Sequence, residues 1–134
     1  MSKTIKLYFV MLFAFLFIDG LWLTLIASGF YQQYLGYLMS PTPNLVAAGL
    51  FYLLYIYAGL ELVVRPGFAT GNLKGTLARA ALFGAACYAT YDLTNLATIK
   101  DWPLIITVVD LIWGTTVSVA ISAVGFWYLR KASS

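Results

Sequence analysis

The stretch Tyr91-Asp92-Leu93-Thr94-Asn95 decides how this chain folds, because it places a carboxylate, a hydroxyl and an amide inside an apolar segment. The surrounding residues, from about 76 to 98, are typical of a membrane-spanning helix. Polar groups are costly in hydrocarbon, so in such helices they usually face the protein interior and mark a functional site. The stretch therefore predicts a membrane protein with a polar site among its helices.

The composition of the whole chain favours the same class of protein. Of its 134 residues, 62% are hydrophobic and 10% are charged, which is too little polar surface for a soluble domain of this size. The chain has no histidine and one cysteine, Cys87, which excludes an internal disulfide and disfavours imidazole or thiolate metal ligation.

Four apolar segments have the length that a membrane-spanning helix needs, about 20 residues. They lie at about residues 7–28, 44–64, 76–98 and 104–129. The tyrosine-rich stretch 30–39 predicts a short interfacial helix, with a lid over the helices as the alternative. The sequence thus predicts an all-α membrane protein with four transmembrane helices in an antiparallel bundle. The short helix lies between the first and second of these, and residues 1–134 form a single four-helix transmembrane domain.

Local breaker and capping signals set the expected helix ends. Ser28-Gly29 is predicted to stop the first helix, and Pro66-Gly67 the second. Thr42, followed by Pro43, is the predicted N-cap of the second helix.

The basic residues predict the orientation of the four helices. Seven fall on one side of a four-span arrangement, and only Lys100 falls on the other. Positive charge accumulates on the cytoplasmic side, so both termini are predicted to be cytoplasmic. Because these residues lie at helix ends, we interpret them as topology signals and anionic-lipid contacts, not as a nucleic-acid surface. The seven are Lys3, Lys6, Arg65, Lys74, Arg79, Arg130 and Lys131.

The fourth segment carries a ladder of small residues. Gly114, Ser118 and Ser122 follow Asp110 at steps of four, which puts all of them on one helical face. Small residues let helix backbones approach closely, so this face is predicted to pack against a neighbouring helix and to point Asp110 inward.

Three aspartates are expected at one membrane depth. With a rise of ~1.5 Å per residue, Asp19, Asp92 and Asp110 each lie roughly 10–14 Å below the outer surface. They form the core of a predicted site for a proton, a cation or another ligand. The other candidate residues at or near this depth are Trp22, Tyr52, Tyr55, Tyr88, Thr94, Asn95 and Trp113.

No lysine or arginine is expected at that depth. Unpaired carboxylates would repel one another and lose hydration, so we expect protonation of one or two, a bound cation, or water entering from outside. The structural alternative is that protonated aspartates hold the helices together through hydrogen bonds.

Several motifs together resemble a family of predicted bacterial inner-membrane proteins catalogued as domain of unknown function twenty-one seventy-seven. The resemblance covers nearly the whole chain and implies four helices and a bacterial inner-membrane location, but no activity. The motifs are Asp19-x-Leu21-Trp22-Leu23, Phe51–Tyr55, Ala89–Thr98, Trp102-Pro103 and Val109–Thr115.

Three functions fit these observations. The first is a small proton- or cation-linked transporter or channel, or a cation-binding protein, because mid-membrane acids serve proton-coupled transport. The second is an intramembrane enzyme acting on a lipid or isoprenoid, in which aspartates hold a divalent cation or act as acid and base. The third is a non-catalytic subunit or a binder of a hydrophobic ligand. No cofactor is evident beyond a bound cation, and the expected partners are the lipid bilayer and a second copy or a larger membrane complex.

Overall fold

The computed structural model describes residues 2–133, which form four long helices and no strand. The first, second and fourth are long and apolar enough to cross a membrane. The third has 26 residues and is less apolar, because it carries Lys74, Arg79 and Asp92. The predicted all-α membrane fold is confirmed, while Met1 and Ser134 of the predicted 1–134 domain lie outside the described residues. The helices run Lys3–Leu35, Leu45–Thr70, Leu73–Thr98 and Leu104–Ser133.

The first helix continues beyond its expected end. It is α-helical at Lys3–Leu21, passes through a π-helical turn at Trp22–Ala27, and resumes as α-helix at Ser28–Leu35. The predicted stop at Ser28-Gly29 is therefore wrong, since a single glycine costs a helix only about 1 kcal/mol. The short helix expected in this region is present, but as a direct extension of the first helix.

The second helix also differs from its predicted ends. Asn44, not Thr42, is its N-cap, and the Asn44 side chain accepts a hydrogen bond from the Ala47 N–H at 3.1 Å. Asparagine is the stronger capping residue of the two. At the other end the helix passes through Pro66-Gly67 and stops at Gly71, whose φ of 70° is left-handed.

A π-helical turn and an arginine explain how the second helix passes Pro66. Proline has no N–H, so the carbonyl four residues earlier, that of Leu62, loses its usual donor. The Arg79 guanidinium of the third helix donates to that carbonyl at 2.9 Å. The π-helical turn at Leu60–Val64 lies where the proline ring would otherwise clash with the preceding turn.

The third and fourth helices pack tightly through small residues. A side chain at Gly84 would overlap Ser118, and one at Gly114 would overlap the Tyr88 ring. Ser118 and Ser122 are buried. The interpretation of the small-residue ladder as a packing face is confirmed.

The second helix packs unevenly along its length. Leu45, Leu50 and Leu54 in its first half are exposed, whereas Ile56 and Leu60 in its second half are fully buried. The hydrophobic core, which includes Ile56 and Leu60, therefore fills the end of the molecule that carries most of the basic residues. Beside the exposed first half, the helices enclose a cavity.

Two glycines of the second helix give a matched test of this packing. A Cβ at Gly67 would overlap the Thr76 side chain, whereas a Cβ at Gly49 would meet nothing within 4 Å. We expect Gly67→Ala to destabilise the protein by about 1–3 kcal/mol through overpacking. Gly49→Ala should leave stability unchanged or raise it by up to about 1 kcal/mol through helix propensity. Thermal unfolding in detergent compares the two, and equal effects would contradict the close contact at Gly67.

Candidate functional site

All four helices contribute to one cavity of about 560 Å³. This volume lies in the range of small-molecule sites, roughly 300–1,000 Å³. Most of its walls are aromatic, and two aspartates lie among them. The lining residues are Asp19, Trp22, Leu23, Tyr31, Ala48, Phe51, Tyr52, Cys87, Tyr88, Tyr91, Asp110 and Trp113.

Tyr55 closes the cavity on the side of the hydrophobic core. Its hydroxyl and that of Ser118 share a hydrogen bond. Its ring packs against Phe15 and Phe83, with centroid distances of 5.2 and 5.6 Å. Tyr55 is 2% exposed and lies outside the lining, so it belongs to the hydrophobic core that adjoins the cavity.

Asp19 accepts hydrogen bonds from two neutral donors. The Trp113 indole N–H donates to one carboxyl oxygen at 3.3 Å, and the Tyr52 hydroxyl donates to the other at 3.5 Å. Both contacts are long, and each carboxylate oxygen can accept a further bond. Asp19 is thus held in place with capacity left for a ligand.

Asp110 is bound by a tyrosine from the extended end of the first helix. The Tyr31 hydroxyl donates to its carboxyl group. The π-helical turn explains this contact. Tyr31 follows Asp19 by twelve residues, which in a regular α-helix would place it about 120° away around the axis. One extra residue in a turn changes the register by about 100°, so the π-helical turn brings Tyr31 to within about 20° of Asp19.

Asp92 lies next to Asp110 and is fully buried. Among residues 2–133, neither of its carboxyl oxygens has a hydrogen-bond donor. The acid beside it is Asp110 on the fourth helix, and two acids can hydrogen-bond to each other only if one carries a proton. Two neighbouring carboxylates repel each other when both are ionised, so a proton or a cation at this position would stabilise the arrangement.

The connection between the third and fourth helices covers Asp92. The Trp102 indole N–H donates to the Thr107 hydroxyl at 3.1 Å, and that hydroxyl donates to the Asp92 backbone carbonyl at 3.3 Å. Trp102 and Thr107 are both buried. Asp110 lines the cavity and Asp92 does not, so Asp92 lies behind Asp110 as seen from the cavity.

Two tryptophans form a flat wall of the cavity. The rings of Trp22 and Trp113 stack at a centroid distance of 4.4 Å and an angle of 7°. The Trp113 N–H is bonded to Asp19, whereas the buried Trp22 N–H has no partner within the described chain. The stacked tryptophans thus give the cavity an aromatic surface.

Most of the candidates named from the sequence meet at this cavity. Thr94 differs: it is exposed, because it follows Asp92 by two positions and therefore points about 200° away around the helix. Asn95 is half-buried beside the Tyr91 hydroxyl and outside the lining. Asp92 and Tyr55 lie directly behind the lining, as described above. The candidates that line the cavity are Asp19, Trp22, Tyr52, Tyr88, Asp110 and Trp113.

Sequence reasoning missed Tyr31 as a site residue. The tyrosine-rich stretch was the available signal, but the direction of the Tyr31 side chain depends on the π-helical turn, which no residue pattern predicts. Tyr91 was quoted in the central motif, and its spacing of three from Tyr88 on one helix face could have identified it. The other lining residues missed, Leu23, Ala48, Phe51 and Cys87, carry no polar signal that is specific for a site.

A cluster of three metal ligands is not formed. Within residues 2–133, no group of three or more histidine, cysteine, aspartate or glutamate side chains is placed to hold one metal ion. The lining of the cavity contains two carboxylates, those of Asp19 and Asp110.

Comparison with known proteins identifies the family. The profile of the family described as predicted membrane protein (DUF2177) matches residues 4–127, and the chain belongs to this family. The resemblance drawn from the sequence motifs is thereby confirmed. The family is one of unknown function. No curated protein and no solved structure matches the chain.

Proposed function

We propose that this protein is a proton-linked carrier of small cations in the bacterial inner membrane. One observation carries the proposal: Asp92 is buried with no donor to its carboxyl group, directly behind Asp110, whose carboxyl lines the cavity. A buried acid of this kind is costly in a membrane protein and is typically retained because it handles protons or ions.

The Asp92–Asp110 pair supplies the exchange step. When no cation is bound, the pair holds a proton between its two carboxyl groups. A cation that enters the cavity and contacts Asp110 favours the ionised form, so the proton leaves as the cation arrives. Competition of this kind links the two fluxes, because the pair accommodates either the proton or the cation.

Asp19 supplies a second carboxylate in the lining of the cavity. It belongs to the first helix, and the groups that bond to it come from the second and fourth helices. Helix movement during transport would therefore change the surroundings of Asp19.

The charged ends of the helices support the proposed orientation. The third helix starts near Lys74 and Arg79, the fourth ends at Arg130 and Lys131, and the first begins at Lys3. These ends lie on the same side of four antiparallel helices. The positive-inside rule places that side in the cytoplasm, and the cavity then lies in the outer half of the membrane.

A liposome assay tests the proposal. Purified protein is reconstituted with a pH-sensitive dye inside, and sodium, potassium, guanidinium or tetraphenylphosphonium is added outside. We expect at least one cation to drive proton release that empty liposomes lack, and Asp110→Asn to abolish it. Glu61→Gln is the control, because Glu61 pairs with Arg65 at 2.7 Å near the other end of the second helix.

Two results would overturn the proposal. One is a dye response equal to that of empty liposomes for every cation in the panel. The other is an Asp110→Asn response equal to that of the unaltered protein. If deletion of the protein in its host instead changed the membrane lipids, the lipid-enzyme alternative would replace it.

A further inference from the structure

We infer that the ligand of this cavity is a weakly hydrated organic cation with apolar arms, rather than an inorganic ion. This inference rests on the proposed function and names its substrate class. It is carried by the combination of cavity size, aromatic walls, unbalanced negative charge and an apolar opening.

The size of the cavity separates the two kinds of cation. A metal ion binds best where several oxygens surround it at about 2–2.6 Å. The cavity measures about 560 Å³, and no three acidic side chains within the described range 2–133 are placed to hold one ion. A molecule with several apolar groups around its charge would fill the space that an ion would leave to water.

The walls match the surface of such a molecule. Seven of the twelve lining residues are aromatic, and aromatic faces attract cations that have given up their water. Trp22 and Trp113 present one stacked pair, and Tyr88 lies over Gly114 nearby. An inorganic ion would have to lose a strongly held hydration shell to contact these faces, whereas an organic cation with apolar arms is only weakly hydrated.

The charge in the cavity calls for a positive ligand. Asp19 and Asp110 are its charged lining residues, and both accept hydrogen bonds from neutral groups only, those of Trp113, Tyr52 and Tyr31. No lysine or arginine of the described chain lines the cavity. Any ionised carboxylate here is therefore uncompensated until a cation binds.

The opening of the cavity is apolar. Leu23, Phe51 and Tyr91 line the cavity and are 41%, 45% and 57% exposed, so they form its rim. The first half of the second helix, next to this rim, is exposed as well, with Leu50 at 63%. In a bilayer this rim faces lipid, so a cation with apolar arms can enter from the membrane, where it already partitions.

Competition between protons and the ligand predicts how the affinity for the ligand changes with pH. The ligand needs Asp110 ionised, and a proton on the Asp92–Asp110 pair opposes this, so binding should tighten as pH rises. The other titratable side chains close to the pair are Tyr31 of the first helix and Tyr88 and Tyr91 of the third, and Asp19 lines the same cavity. Tyrosines keep their protons between pH 6 and 8, which leaves the aspartates to respond.

The test compares two probes of the same shape and opposite charge, tetraphenylphosphonium and tetraphenylborate. Binding to the purified protein in a non-ionic detergent is followed by quenching of tryptophan fluorescence, since Trp22 and Trp113 form the wall. We expect the phosphonium to bind at least about tenfold more tightly than the borate, as one favourable charged contact can supply. Its affinity should rise between pH 6 and pH 8.

Asp110→Asn should weaken phosphonium binding by about tenfold or more and reduce its pH dependence, whereas Glu61→Gln should leave both unchanged. Equal binding of the two probes, or an unaltered affinity in Asp110→Asn, would overturn the inference. If sodium or potassium still drives proton release in liposomes, the proposed carrier function survives that result. Phosphonium binding without any coupled proton movement would instead overturn the carrier function alone.

Discussion

Asp92→Asn makes the protein more stable and stops cation-driven proton release. The asparagine has nearly the shape of the aspartate, but its amide N–H₂ can donate to the Asp110 carboxyl without an added proton. The substitution therefore removes a buried acid that has no donor, and it gives Asp110 a permanent partner. Replacing buried charged groups, even paired ones, by neutral groups of similar volume is often stabilising, by about 1–4 kcal/mol. We expect a gain of at least about 1 kcal/mol here, larger at pH 8 than at pH 6.

The measurement is thermal unfolding in detergent at both pH values, with the liposome assay run on the same preparations. Asp19→Asn is the matched control, because Asp19 already has two donors, from Trp113 and Tyr52. That variant should gain nothing in stability, since its amide would place a donor against one of those donors. An Asp92→Asn protein less stable than the unaltered one would favour the structural alternative, in which the aspartates hold the helices together.

Gly114→Val removes the cavity wall and much of the stability. A Cβ at Gly114 would occupy the position of the Tyr88 ring. Valine therefore either pushes Tyr88 into the cavity or separates the third and fourth helices along their shared small-residue face. Overpacking typically costs about 1–3 kcal/mol, and two further methyl groups at so close a contact should bring this to at least about 3 kcal/mol.

Thermal unfolding and phosphonium binding together check this prediction. The control is Gly29→Val on the first helix, where an added Cβ meets nothing within 4 Å. We expect that variant to fold and to bind as the unaltered protein does. If Gly114→Val kept both stability and binding, Tyr88 would have room to move, and its placement as a fixed wall would be incorrect.

The chain's composition and polar spacings predicted most of the fold and the centre of the site. The hydropathy of the four segments predicted the helices. The steps of four from Asp110 to Ser122 predicted the close packing of the fourth helix. The three aspartates, Trp22 and Trp113 were identified because polar and amphipathic residues are conspicuous in apolar helices.

Helix ends and local register were predicted less well. Where the second helix passes Pro66, Arg79, thirteen residues further along the chain, donates to the carbonyl that the proline leaves free. A contact between two helices cannot be read from either segment alone. Depth along a helix also says nothing about direction around it. Thr94 was grouped with the aspartates by its depth, but its side chain is exposed.

The π-helical turn at Trp22–Ala27 has a consequence for how the length of this chain can change. A helix that acquires one residue without disturbing its flanks accommodates it as such a turn. The loss of one residue within 22–27 would therefore let the segment relax into ordinary α-helix, with Asp19 and the present Tyr31 eleven residues apart. Eleven residues complete about three turns, so the tyrosine would still point toward Asp110. Most of the first helix has a fixed length, but this turn is a place where relatives can differ by one residue and keep the same site.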